Sequence, residues 1–448
     1  MEIELISREC VNPSSPTPHH LRTYKISLID QFGGQGFTSS LFFYPPGQAT
    51  SISMTKRSQL LKHSLSRTLT LYYPIAGRFI DNLSIDCNDK GICYMVARAN
   101  CDLQDYLKQP DLSKLAKFVP DEIICSEITP GGYVAMVQET AFVCGGLAIG
   151  IVVPHHVFDA TSKMVFLKTW ATMARGGAPI PPDFSSTCLF PQNTKFPQDP
   201  ISPIIVGQIF GRDGNFVFKR FLFEGSTVSN LKSKATSSGV HNPTRVEVVL
   251  ALLFRCVMSA MKAKYGVQKS ILMSTAVNLR SRAVPPLPET SVGCLVLPKP
   301  IVIGEETDMC GFLGLIREGL SKINGEFFKS LQGTQGPQRF LEFAIQTGES
   351  YSKALFDGAE FIVFNSWCNA GMYDVDFGWG KPIWLPCLPL PLRGSVIALV
   401  DARMSNGIEA WVTLEEEIMS VVERDAEILS LASVDPSLLP INSLKSNL

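Results

Sequence analysis

The chain is short of several things, and each shortage closes a class of function. Of its 448 residues only 18% are charged, and the formal net charge is −1. That leaves no basic surplus to neutralise a nucleic-acid backbone, so no partner of that kind is expected. Histidine is scarce, with 6 in all and none in an H-E-x-x-H pattern, so no metal is expected. The 12 cysteines include no C-x-x-C. The nearest pairs are Cys87 with Cys93 and Cys93 with Cys101, and scattered thiols of this kind read as reduced, buried, small apolar residues. Neither G-x-G-x-x-G nor G-x-S-x-G occurs, which removes the dinucleotide-binding and serine-hydrolase signatures. No apolar run approaches the roughly 20 residues that span a bilayer. The best candidates, 248–254 and 395–400, read as buried helix or strand. The opening MEIELISREC has no basic stretch followed by an apolar core, so no secretory leader is expected. These absences together predict a cytoplasmic protein with no membrane partner.

What is present suffices for large cores: 45% of residues are hydrophobic, over a length that suits two or three domains. The clearest compositional break is 176–213, where Pro179, Pro181, Pro182, Pro191, Pro197, Pro200 and Pro203 fall without a sustained period. A stretch of that length is unusual inside one compact domain, so it reads as a crossover linker between 1–175 and 214–448. In the first part, Leu60, Leu61, Leu65 and Leu69 repeat at helical spacing over 58–72, with Pro74 beyond. Residues 134–142 and 147–153 read as strands, the second small or apolar throughout, as suits burial on both faces. Met164, Leu167, Ala171 and Ala174 give an apolar face to a helix over 159–174. In the second part, 245–263 reads as a buried helix, and 271–278, 361–367 and 396–401 read as strands. Strands and helices intersperse without strict alternation, which predicts an α/β fold with mixed sheets.

The most informative segment is PHHVFDA, Pro154–Ala160. A buried strand runs out at Pro154, His155 follows, and Asp159 opens a helix. A strand end holds a side chain rigidly while leaving it reachable. Imidazole, with an ordinary pKa of about 6.5, suits general-base work near neutral pH. Read from spacing alone, a satisfied core histidine is the commoner meaning of His155, and a helix N-cap that of Asp159.

A second motif changes the weight of the first. Asp376–Gly380 reads DFGWG, followed by Lys381 and Pro382. In chain order there are also SSPTP at 14–18, YPIAGR at 73–78, DCNDKG at 86–91, CGGLA at 144–148, AVNLRSR at 276–282 and SWCNAGMYDVDFGWG at 366–380. The set resembles the plant BAHD acyl-CoA-dependent acyltransferases over nearly the whole chain. Within them it resembles the branch that acetylates alkaloid hydroxyls and also contains acetyltransferases for terpenoids and simple alcohols.

The resemblance implies two similar-sized, chloramphenicol-acetyltransferase-like domains joined by a long crossover, with the active-site channel between them. It implies a monomer that binds no cofactor and takes acetyl-CoA as co-substrate. It implies O-acetylation of a small hydrophobic plant metabolite, alkaloid first and terpenoid second, through a ternary complex. Amide formation on an amine, or a catalytically silent small-molecule-binding relative, are the alternatives. Carried over residue by residue, His155 is the base and its neighbour His156 is out of register. Asp159 is structural support, paired with Arg280. Trp367 is an oxyanion donor or else a core aromatic. Thr244 and Arg245 line the CoA side, with Lys232 or Lys234 near phosphates unless they form only a solvated helix face. Asp376, Gly378 and Gly380 are structural. Three positions depart from the branch pattern: Pro154-His155-His156 replaces S-H-K, Asn365 replaces a small hydroxyl residue grouped with the substrate contacts, and Asn369 replaces an arginine.

Overall fold

A computed structural model of the protein describes residues 1–33, 36–46, 53–120, 128–195, 214–388, 394–403 and 406–438. Two large mixed sheets organise it. The first has five strands in the order Ile3–Val11, Ile92–Ala99, Met136–Ala141, Leu147–Pro154, Phe37–Tyr44. Only the Ile92–Ala99/Met136–Ala141 pair is parallel. The second has seven, in the order Val296–Ile303, Ile271–Asn278, Glu360–Ser366, Ser395–Asp401, Ile408–Glu415, Phe216–Phe223, Ser433–Val434. Its two central pairs, on either side of Glu360–Ser366, are parallel. A small three-stranded sheet, Thr23–Lys25, Ser84–Asp86 and Arg78–Asp81, stands apart and was not foreseen in the sequence. The mixed α/β class is the one expected.

The strand Leu147–Pro154 is buried at every position. Its run of Leu, Ala, Ile, Gly and Val offers no polar face, so both sides must be covered. Phe37–Tyr44 pairs with it on one edge, with Phe37 opposite Pro154. The helix Ala160–Ala174 follows directly and is more enclosed than a one-sided apolar stripe predicts. Ser162, Lys163 and Thr169 are buried as well as Met164, Phe166, Leu167 and Trp170. It is an interior helix, packed against the helix Met54–Leu71, where Trp170 Nε1 donates to the Leu61 carbonyl at 3.1 Å. Burying a side chain of this size contributes about 1.5–3 kcal/mol.

The two sheets are tied by residues that cross between them. Tyr44 Oη donates to the Val375 carbonyl at 2.9 Å, Phe43 bridges to Trp384, and Phe377 packs on Trp170 with ring centroids 4.8 Å apart. Part of the proline-rich stretch is ordered and packed. A short helix, Ser186–Leu189, lies there, Phe190 is buried against Phe328, and Asp183 bridges to Ser291. The rest of that stretch, 196–213, lies outside the described residues.

Candidate active site

His155 stands where Leu147–Pro154 ends, and its backbone N–H donates to the Gly36 carbonyl at 2.8 Å. The Pro154 carbonyl accepts from Val157 and Phe158 N–H, closing a tight turn that delivers Asp159 to the helix N-terminus. The His155 ring is half-buried. Its Nδ1 lies 3.3 Å from Cys294 Sγ, and its Nε2 has no hydrogen bond among the described residues. Burial pushes its pKa below the ordinary imidazole value; the ammonium of Lys163 acts in the same direction and the Asp159 carboxylate opposes them. The ring is thereby kept neutral.

Asp159 does two jobs at once. Its carboxylate caps the helix by accepting from Ser162 N–H at 2.8 Å, and it takes a forked pair from Arg280 at 2.6 and 3.1 Å. Leu295 N–H adds a fourth donor at 3.1 Å. Asp159 and Arg280 are 2% and 3% exposed, so this is a buried ion pair with its lone pairs satisfied. Arg280 also donates to the Ser291 carbonyl at 2.8 Å. The pairing expected from the resemblance is thus present. The pair and the cap together fix the turn that carries His155.

His156 points the other way, into the core. It is 3% exposed, stacks on Phe79 at 5.8 Å, and neither ring nitrogen has a partner among the described residues. Burial first, and then the neighbouring His155, drive its pKa down to about 3. The sign of the pH dependence follows. Above about pH 6.5 the ring is neutral folded or unfolded; below it the unfolded chain takes the proton first. Stability is therefore lost as pH falls from about 6.5 towards 3, at up to about 1.4 kcal/mol per pH unit for this one group. His156→Phe, which keeps the stack and cannot titrate, is expected to flatten the fall in denaturation midpoint between pH 6.5 and 4.5. Parallel curves for the two proteins would contradict this.

The residues assigned to the CoA side assemble in a separate cleft of about 470 Å³, lined by Lys232, Thr236, Asn242, Pro243, Thr244, Arg245, Val246 and Asn369. Thr244 caps the helix Arg245–Tyr265 in a reciprocal pairing with Glu247. The cleft therefore sits at a helix N-terminus, where backbone N–H groups favour anions. Arg245 donates to Asn369 Oδ1 at 2.8 Å and to Asp401 at 2.9 Å, so the asparagine that departs from the branch pattern is part of this wall. Lys234 is exposed and does not line it.

Trp367 follows the strand Glu360–Ser366, half-buried against the cluster that holds Phe43, Trp384 and Trp411. Its indole N–H makes no hydrogen bond among the described residues, and neither does the Asn365 side chain. Asp376 lies at the opposite end of the helix from His155. Its carbonyl accepts from Arg175, just past the last helical residue, about 24 Å along the axis from Asp159. The Asp376 carboxylate accepts from Gly378 and Gly380 N–H at 2.8 and 3.0 Å. Both glycines have φ above +100°, a conformation that side chains resist.

Three buried groups around His155 were not singled out in the sequence. Cys294 is fully buried, and its thiol pKa is raised well above the ordinary value by burial and by the nearby Asp159 and Asp30 carboxylates. Asp30, also fully buried, accepts from Cys294 N–H at 2.6 Å, and burial raises its pKa to about 7. Lys163 is 6% exposed, donates to Thr38 Oγ1 and the Ser39 carbonyl at 3.1 Å each, and is lowered by burial to about 8. No group of three or more His, Cys, Asp or Glu side chains among the described residues is placed to hold a metal ion. No helix among them is long and apolar enough to cross a membrane.

The profile of the Transferase family matches residues 1–429. The chain is 41% identical to epi-neemfruitin B 7-O-acetyltransferase of Melia azedarach, over 98% of this chain and 100% of that one. It is 40% identical to a limonoid 7-O-acetyltransferase of Citrus sinensis, over 97% and 99% of the two chains. Among solved structures it is similar to vinorine synthase, with a TM-score of 0.79 and 32% identity over 96% of this chain and 99% of that one.

Proposed function

The chain belongs to the Transferase family, the BAHD acyltransferases, and from that premise we propose that it carries an acetyl group from acetyl-CoA to a hydroxyl of a hydrophobic plant metabolite, with a limonoid-type terpenoid alcohol as the first acceptor class and an alkaloid alcohol as the second. The 40% identity to a limonoid 7-O-acetyltransferase is the reason for putting terpenoids ahead of alkaloids, the reverse of the order implied by the motifs alone.

The observation that carries the reading is the state of the His155 ring. One nitrogen is engaged by Cys294, the other is free, and the surroundings hold the imidazole neutral. The acceptor O–H donates to Nε2 while its oxygen attacks the thioester carbonyl carbon. The proton passes to the imidazole, the tetrahedral oxyanion collapses with cleavage of the C–S bond, and the imidazolium returns the proton to the departing CoA thiolate. The thioester is already activated, so no covalent enzyme intermediate is required. Trp367 is assigned to the oxyanion through its unengaged indole N–H, and Asn365, two residues earlier on the strand Glu360–Ser366, to the acceptor. The cleft at Thr244 and Arg245 is assigned to CoA, with Lys232 near a phosphate. In this reading 1–175 and 214–448 are the two halves, 176–213 joins them, and the enzyme works as a cytoplasmic monomer.

A second reading is suggested by the same contact. A cysteine beside a histidine is the arrangement of a thiol nucleophile, which would pass the acetyl group through Cys294. Against it stand the full burial of that thiol and its raised pKa, which leave it inert.

The test offers acetyl-CoA with limonoid alcohols, alkaloid alcohols and amines in parallel, with products identified by mass spectrometry. Ester formed fastest on a limonoid alcohol is the expected result. Preferred amide formation would move the acceptor to nitrogen, and no product from any member would sink the enzymatic reading.

A further inference from the structure

We propose that Cys294 is a positioning residue for the base: its sulfur receives the Nδ1–H of His155 and so fixes the tautomer that leaves Nε2 unprotonated towards the acceptor. The inference rests on the reading of His155 as the general base.

The contact joins residues 139 positions apart, one at the end of a first-sheet strand and one just before the second-sheet strand Val296–Ile303. It is held from several sides. Cys294 N–H is bound by the buried Asp30 carboxylate at 2.6 Å. The flanking Gly293 carbonyl accepts from Ser162 Oγ at 2.9 Å, and Leu295 N–H donates to Asp159 at 3.1 Å. On its far side the sulfur meets Gly33, where an added Cβ would stand only 2.6 Å away. The backbone that carries the thiol is therefore tied to the Asp159–Arg280 pair through Leu295 N–H.

The direction of the hydrogen bond follows from the role of the other nitrogen. A neutral imidazole carries one ring proton, and an Nε2 that accepts the acceptor's O–H proton must be the nitrogen without it. The proton is then on Nδ1, where the sulfur 3.3 Å away is its hydrogen-bond partner and accepts weakly. A thiol is suited to this place because it fills apolar volume, stays uncharged and accepts without demanding a strong bond.

The test compares wild type with Cys294→Ala and Cys294→Ser. Alanine removes the acceptor and frees the ring to rotate, and a misplaced reacting group costs up to about 100-fold. The expected loss in kcat is about 10- to 100-fold, with KM for acetyl-CoA changed by less than about 3-fold. Serine, which also accepts from Nδ1–H, is expected to restore most of kcat, whereas a serine in place of a nucleophilic thiol would not. In ¹⁵N-histidine NMR of the wild type, His155 should show a protonated Nδ1 and an unprotonated Nε2. A full rate in Cys294→Ala, or a proton on Nε2 in the wild type, would overturn the proposal. If His155→Ala is inactive while Cys294→Ala is fully active, only the positioning role fails. If His155→Ala retains full activity, the reading beneath it fails first.

Discussion

His155→Ala is expected to lower kcat by roughly 10²–10⁴, the usual worth of a placed general base, while KM for acetyl-CoA stays within a few-fold. The ring is half-buried and only one of its nitrogens is engaged, so its removal deletes a proton acceptor without opening the core. The residual rate comes from bringing thioester and alcohol together, which needs no base. His156→Ala supplies the internal control. That ring is buried against Phe79, so the variant should lose stability and keep most of its rate. Equal loss of kcat in the two variants would place the base in the wrong register.

The second large effect is on folding. Asp159→Ala leaves Arg280 charged, buried and without its carboxylate, at an expected cost of about 3–5 kcal/mol. A further ~1 kcal/mol goes with the lost cap at Ser162 N–H. Arg280→Met leaves the complementary orphan, a carboxylate that still has the Ser162 and Leu295 N–H donors, and should cost less than Asp159→Ala. The double variant Asp159→Ala/Arg280→Met should be more stable than the sum of the single losses predicts, because no buried charge is left unpaired. Urea denaturation of the four proteins closes this cycle. Strict additivity would show that the pair contributes nothing as a pair. A collapsed rate with an unchanged denaturation midpoint in Asp159→Ala would assign the carboxylate to the chemistry itself.

What could be read from the sequence, and what could not, divides along chain distance. The strand Leu147–Pro154 was legible from its unbroken apolar run, and Asp159 as a cap from the residues that follow it, because both are local patterns. The Asp159–Arg280 pair spans 121 positions, and it came from matched motifs rather than from any periodicity. Cys294 and Asp30 had neither route: nothing near either residue marks it, and the Asp30–Cys294 and Cys294–His155 contacts join positions 264 and 139 apart. Lys163 was missed for a different reason. A lysine on a helix reads as the solvated side, yet here the helix is enclosed and the ammonium is bound to Thr38 and Ser39. The proline-rich stretch 176–213 was legible as a break in pattern, but the packing of Phe190 and Asp183 within it was not, since single buried residues in a proline-rich stretch leave no period.

Direct transfer from thioester to alcohol is the central claim, and Cys294 beside His155 makes rapid mixing without acceptor its most direct test. The enzyme at a concentration comparable to acetyl-CoA is mixed with it alone, and free thiol is followed through the first turnover. The account predicts no stoichiometric release until the acceptor alcohol is added, then release at the rate of ester formation. One equivalent of thiol per enzyme before any alcohol is present would show an acetyl-enzyme on the path and contradict it.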